Sequence, residues 1–177
     1  MAPEIRRITD DDDVEAITRL VRAAYAPHLA EGLRFWGTRQ TVEETIRRLA
    51  SGTTFVAVEL KRYIGVIIVR PPHSASRVEL YRDPTVWSIG QFCVAPQYKG
   101  MGLGRKLHDV ALAYANDRGA RFMALDTAEP AKKLIELYQR WGYAVAGAHD
   151  WRPHTNYVSV LMKRPIGACV DRAAYGP

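Results

Sequence analysis

Cysteine is scarce in this chain: 177 residues contain two, Cys93 and Cys169. One sits in an apolar run and the other near the end, and neither has a partner at metal-ligand spacing. That excludes a disulfide framework and a cysteine-based zinc site, and it points to a reducing, cytoplasmic setting. Long apolar runs are missing too. Nowhere do about 18 apolar residues follow one another, so no membrane span is expected. The opening residues Met1-Ala2-Pro3-Glu4-Ile5-Arg6-Arg7 lack the apolar stretch of a secretory signal. There is no internal repeat and no basic stripe. The net charge is +6, yet the basic residues are scattered as pairs such as Arg6-Arg7, Arg47-Arg48 and Lys132-Lys133. Nucleic acid is therefore not expected as a partner, and a mild positive field suits a small polyanion equally well. What remains, 47% hydrophobic and 25% charged residues, is ordinary for one globular domain. We set it at residues 1–163, with 164–177 as a C-terminal tail.

Residues 4–9 alternate as a strand does. The acidic run from Asp10 to Asp13 falls where a helix start favours negative charge, and reads as capping and dipole partners rather than a metal site. Val14, Ile17, Leu20, Val21, Ala24 and Tyr25 share one helical face. Residues 26–40 hold Pro27, Gly32 and Gly37 together with Phe35 and Trp36, and read as a loop or broken helix lining a pocket. Thr41-Val42-Glu43-Glu44 is a capping box that opens a second helix, ended near Gly52. Residues 53–60 and 63–70 read as an antiparallel hairpin turning at Lys61-Arg62. Residues 86–94 form another strand, stopped by Pro96.

A glycine-rich turn and a helix ending at Gly119 follow. Residues 122–125 make a short buried strand. Pro130 opens a last helix with Ala131, Leu134, Ile135 and Tyr138 inward and Gly142 at its close. Strands are expected at 143–148 and 156–162. This order predicts an α/β fold of the α+β kind, a mixed sheet of roughly six or seven strands flanked by about four helices.

Glycine at 100, 102 and 104 removes side chains where a strand turns into a helix, so backbone N–H groups can converge on an anion such as a phosphate. A plain structural turn is the alternative. A Walker loop needs Gly-Lys followed by Ser or Thr, which the sequence does not supply. A dinucleotide site is closer, because Asp126 ends a strand roughly twenty residues after the turn. Against it, the third glycine comes one residue early and no second strand-helix-strand half follows.

Gln97-Tyr98-Lys99-Gly100-Met101-Gly102 matches the Gln/Arg-x-x-Gly-x-Gly/Ala signature, and the chain here resembles the GNAT superfamily of acetyl-CoA-dependent N-acetyltransferases. Phe92-Cys93-Val94-Ala95-Pro96 resembles the strand that leads into that loop. Leu125-Asp126-Thr127-Ala128 and Leu137-Tyr138-Gln139-Arg140-Trp141-Gly142-Tyr143 resemble the family's fifth strand and its last helix. The resemblance implies that the fourth and fifth strands splay apart and admit the pantetheine arm of acetyl-CoA like an extra strand. Backbone groups of Phe92 and Val94 would pair with that arm. The amides of Lys99, Gly100, Met101, Gly102, Leu103 and Gly104 would hold the pyrophosphate, with Gln97 shaping the loop and Lys132 or Lys133 reaching a phosphate. Thr127-Ala128-Glu129-Pro130 departs from the family at a place where relatives carry a cofactor-binding Asn.

Transfer to an amine needs a donor to the thioester oxygen, an acid for the leaving thiolate and a route for the amine proton. By resemblance the donor is the amide of Val94 or its neighbour and the acid is the hydroxyl of Tyr138. From its place on an apolar helical stripe alone, Tyr138 is a core tyrosine. Cys93 reads as a small buried hydrophobe. Glu79 and His154 are candidate bases, beside an ordered-water path. Tyr25, Phe35, Trp36, Tyr81, Trp151 and Tyr157 are candidates for the acceptor pocket. No metal is expected. The implied partner is a small-molecule or peptide amine, with a homodimer left open. An NAD(P)-binding oxidoreductase and a non-catalytic acyl-CoA-binding module are the rival readings.

Overall fold

Runs rich in β-branched and other apolar residues build the central strands, buried on both faces, and the computed structural model, which describes residues 2–167, assembles seven strands into one sheet. The strands are β1 (Glu4–Arg7), β2 (Thr53–Glu59), β3 (Arg62–Arg70), β4 (Val86–Val94), β5 (Phe122–Ala128), β6 (Ala144–Asp150) and β7 (Val158–Pro165). Their spatial order is β1-β2-β3-β4-β5-β7-β6. Four α-helices accompany them: α1 (Val14–Ala30), α2 (Val42–Leu49), α3 (Leu103–Asn116) and α4 (Lys132–Arg140). The mixed sheet and its helix complement agree with the sequence expectation. Residues 168–177, most of the expected tail with Cys169, lie outside the described residues. No described helix is long and apolar enough to cross a membrane.

The core sits on the central strands. Val66, Ile67, Ile68 and Val69 of β3 are all fully buried, as are Leu107 and Ala111 of α3 and Ile17 and Val21 of α1. The contact with α3 is close because Gly65 has no side chain; a Cβ there would come 2.6 Å from Leu107 Cδ1. At the other end of the acidic run, Asp12 is a joint. It accepts from both Arg6 terminal nitrogens at 2.8 and 2.6 Å and from the Tyr63 hydroxyl at 2.7 Å. The Arg6 guanidinium holds its carboxyl well below the usual carboxylate range.

Several local expectations shift. The hairpin turns at Leu60-Lys61, one residue earlier than expected, with both residues at positive φ (48° and 61°). A two-residue turn of that kind matches the twist of the strands, and here it forms without Asn-Gly. α1 runs through Pro27 to Ala30 rather than breaking. Proline removes one helical bond, but Tyr25 and His28 pack on Phe35 at ring distances of 5.6 and 4.7 Å and hold the last turn in place. Pro130 precedes α4 by two residues; Ala131 is its N-cap. β5, β6 and β7 each extend past their expected ends, because pairing with neighbours carries the ladder further than composition signals.

The feature that matters for function is between β4 and β5. They pair in parallel only at Val86–Phe122, Trp87–Met123 and Ser88–Ala124. Past that point β4 stays on β3 and β5 stays on β7, so a slot opens between residues 89–94 and 125–128.

Candidate active site

The slot widens into a cavity of about 770 Å³, walled by α1, β4, the start of α3, β5, α4 and residues 151–159. Backbone geometry sets its first half. Ala95 N–H donates to the Ile64 carbonyl at 2.8 Å. Strand alternation then turns the main-chain groups of Cys93 toward β3 and those of Phe92 and Val94 toward the open slot. The Phe92 carbonyl accepts from the Tyr25 hydroxyl at 3.1 Å; a carbonyl has a second lone pair to offer.

Gly100 and Gly102 take φ of 79° and 81°, the left-handed turn that side chains disfavour. Among the described residues no side chain caps α3. Its first backbone bond runs from Lys106 N–H to the Gly102 carbonyl at 3.1 Å, which leaves the preceding helix-start amides for an outside acceptor. Two of the expected amides are already used inside the turn: Lys99 N–H on Pro96 at 3.2 Å and Met101 N–H on Tyr98 at 3.4 Å.

Phe92, Val94, Lys99, Gly100, Gly102 and Gly104 line the cavity. Gln97 lies in the Pro96–Tyr98 turn and borders a separate, shallow depression with Asp13 and Arg62. Met101 is 69% exposed, and Leu103 is buried in the core. Lys133 is exposed on α4 and lies outside the cavity wall, as does Lys132. The physical reason is helical: only one face of each first turn meets the slot.

Tyr138 lines the cavity from α4. Its ring is fixed edge-on between Trp141 and Tyr143, at 5.9 and 5.8 Å. Burial, then the charge of Asp126, pushes its phenol well above the usual tyrosine range, so it stays protonated. Cys93 also borders the cavity. Burial pushes its thiol up to about 12, which keeps it from being a nucleophile. His154 is on the wall, its ring 5.1 Å from that of Trp36; Glu79, in the Glu79–Arg82 turn, is not.

The second half of the cavity is made of side chains. Tyr25, Phe35, Trp36, Trp151 and Tyr157 line it as expected. Tyr81 stands behind the wall and donates to Asp126 at 3.0 Å, while Trp151 Nε1 donates to the other Asp126 oxygen at 3.1 Å. Gln91 joins a buried network with Gln40, which in turn bonds Thr45. Arg48 of α2 and Arg70 of β3 also line this end. Sequence reasoning missed both arginines and weighed Asp126 only for a dinucleotide. One signal for them existed: an isolated glycine inside a strand, Gly90, marks a bulge or a close approach.

The family model described as "Acetyltransferase (GNAT) family" matches residues 15–143. S-(2-succino)cysteine N-acetyltransferase of Bacillus subtilis (strain 168) is 27% identical over 166 residues, covering 90% of this chain and 94% of that protein. S-alkylcysteine N-acetyltransferase of the same organism is 28% identical over 152 residues, covering 82% and 81%. Among solved structures, the ribosomal-protein-S18-alanine N-acetyltransferase from Escherichia coli superposes with a TM-score of 0.70 at 16% identity, covering 98% of this chain and 99% of that one. A dinucleotide-binding sheet is mostly parallel, whereas among the described residues only β4 and β5 pair in parallel; that rival is left without support.

Proposed function

The chain belongs to the acetyltransferase (GNAT) family, and from that premise we propose how this N-acetyltransferase moves an acetyl group from acetyl-CoA to a primary amine. The observation that carries the proposal is the open edge of β4. It offers Phe92 and Val94 main-chain groups to the slot, with the uncapped start of α3 at one end and Tyr138 on the opposite wall. An extended pantetheine arm can complete that edge as an added strand. The free amides from Gly102 to Arg105 would take the pyrophosphate, aided by the helix dipole. Lys99 and Met101 leave the set because their amides are already bonded within the turn.

Acetyl-CoA supplies the activated acyl group. The amine forms a C–N bond to the acyl carbon, and the C–S bond breaks. The Val94 amide would stabilise negative charge growing on the acyl oxygen. Tyr138, held protonated by its burial, would give its proton to the departing sulfur. Asp126, fixed by Tyr81 and Trp151, would draw the amine toward the acyl carbon and accept its proton directly or through water.

The two Bacillus subtilis relatives are named for small-molecule cysteine derivatives, which favours a small-molecule acceptor here over a protein side chain. We place the reaction in the cytoplasm on the scarcity of cysteine. Release of free CoA thiol from acetyl-CoA, followed across polyamines, aminoglycosides, amino acids and peptides, tests the activity. Amine-dependent release is expected; release at background with every amine would contradict transfer.

A further inference from the structure

The bulge in β4 explains how two arginines come to share the acceptor end of the cavity. Ile68 pairs with Gln91 and Val69 with Ile89, so Gly90 is an extra residue without a ladder partner. Its freed carbonyl accepts from Arg48 at 3.1 Å. Its missing side chain lets the Arg70 guanidinium lie against the strand; a Cβ at Gly90 would come 2.3 Å from Arg70 Nε. Arg70 is further held by Ser51 Oγ at 2.8 Å. One bulge thus positions both cations on the cavity wall.

None of the ion pairs among the described residues involves Arg48 or Arg70. Arg48 Nε is buried without a hydrogen-bond partner. Burial, and then the neighbouring charge of Arg48, disfavours the proton on Arg70, yet a guanidinium does not give it up at ordinary pH. The free protein therefore carries two partly desolvated like charges with donors to spare, and an incoming anion relieves that cost. Asp126, in Coulombic reach of Arg70 but in no ion pair with it, is held by the neutral donors Tyr81 and Trp151, which leave its charge and its remaining lone pairs for the amine.

The cofactor's phosphates are not that anion. Gly90 lies four residues upstream of Val94, about 13 Å along an extended strand, and the uncapped helix start lies beyond Val94. What faces the acceptor is a pair of cations and one carboxylate, the complement of a zwitterion.

We propose that Arg48 and Arg70 form a carboxylate-binding subsite for the acceptor, so that the amine acetylated is a free amino acid, its carboxylate on the arginines and its amine toward Asp126. This rests on the acetyltransferase reading above. It separates a free amino acid from a polyamine, and from a peptide N-terminus whose first carboxyl is an amide.

The test measures kcat and KM at saturating acetyl-CoA for the standard amino acids and S-methylcysteine, each beside its carboxamide and its decarboxylated amine. The best acid should exceed its carboxamide in kcat/KM by about 10- to 100-fold, the range expected for a charge-assisted contact. Arg70→Gln should bring that ratio close to unity, mainly through KM of the acid, and Arg70→Lys should restore part of it. Gly90→Ala, which keeps both arginines but displaces one, should raise KM of the acid in the same way. A merely structural role would lower kcat for acid and carboxamide alike and leave their ratio standing, which overturns the proposal. Acetylation restricted to carboxylate-free amines, or of no amino acid, overturns it as well. Failure of the acetyltransferase reading shows separately, as absence of acetyl-CoA binding by calorimetry.

Discussion

The two halves of the cavity are built from different materials. The donor half is backbone: an unpaired strand edge, a left-handed turn and an uncapped helix start, all within residues 92–105. The acceptor half is side chains brought from α1, α2, β3, β5 and the loop before β7. Backbone recognition tolerates almost any sequence so long as glycine occupies the turns, and it suits a donor that is always the same. Side-chain recognition is open to change, one residue at a time, and suits an acceptor that differs between relatives.

Substitutions should separate the halves from each other and from the chemistry between them. The largest effect is expected at Tyr138. Tyr138→Phe should lower kcat by about 10²- to 10⁴-fold, the usual weight of a general acid, while the acetyl-CoA dissociation constant by calorimetry changes by less than about threefold. If turnover stays intact across pH, the acid lies elsewhere. Because its phenol is pushed up, Tyr138 remains protonated through the pH at which a free tyrosine titrates, about 10. The kcat profile of the wild type should therefore show no descending limb below that pH. A limb near neutrality would point to another acid.

Gly102→Val breaks the donor half alone. The left-handed turn disfavours a side chain by about 1–2 kcal/mol, and the helix-start amides would lose their aim, so acetyl-CoA affinity should fall about 100-fold for the loss of one or two charge-assisted bonds. Equal affinity would mean that the turn does not bind the donor. The smallest effect, and the sharpest comparison, is Gly104→Ala. A Cβ there meets Phe92 and Val94 at ordinary contact distances of 3.6 and 3.7 Å. It should stabilise α3 by up to about 1 kcal/mol in denaturant titration, yet weaken acetyl-CoA several-fold by filling the cavity beside the helix start. A gain in stability with no loss of affinity would move the phosphate site away from that turn.

The same division explains what could be read from sequence. Turn, strand and helix of the donor half are consecutive, so Gly100, Gly102 and Gly104 announce them within a few positions. The succession of strands and helices along the chain was legible for the same reason: apolar patterning and helical spacing are local. Arg48 and Arg70 are 22 positions apart on different elements, and each reads alone as an ordinary surface cation. Only the register shift opposite Gly90 brings them together, and a register shift is a property of paired strands. Lys133 shows the converse. Its composition suited a phosphate, but the helical phase of α4 turns it to solvent while Tyr138 faces the slot. The proline in α1 misled for a related reason, since packing of Tyr25 and His28 on Phe35 outweighs a single lost bond.

Calorimetric titration of acetyl-CoA into the wild type, Gly102→Val and Arg70→Gln tests the division most directly, since it needs no knowledge of the acceptor. Saturable one-to-one binding is predicted for the wild type, weakened about 100-fold in Gly102→Val and retained in Arg70→Gln. Binding lost in Arg70→Gln, or kept at full strength in Gly102→Val, would contradict a donor half made of backbone and an acceptor half made of side chains.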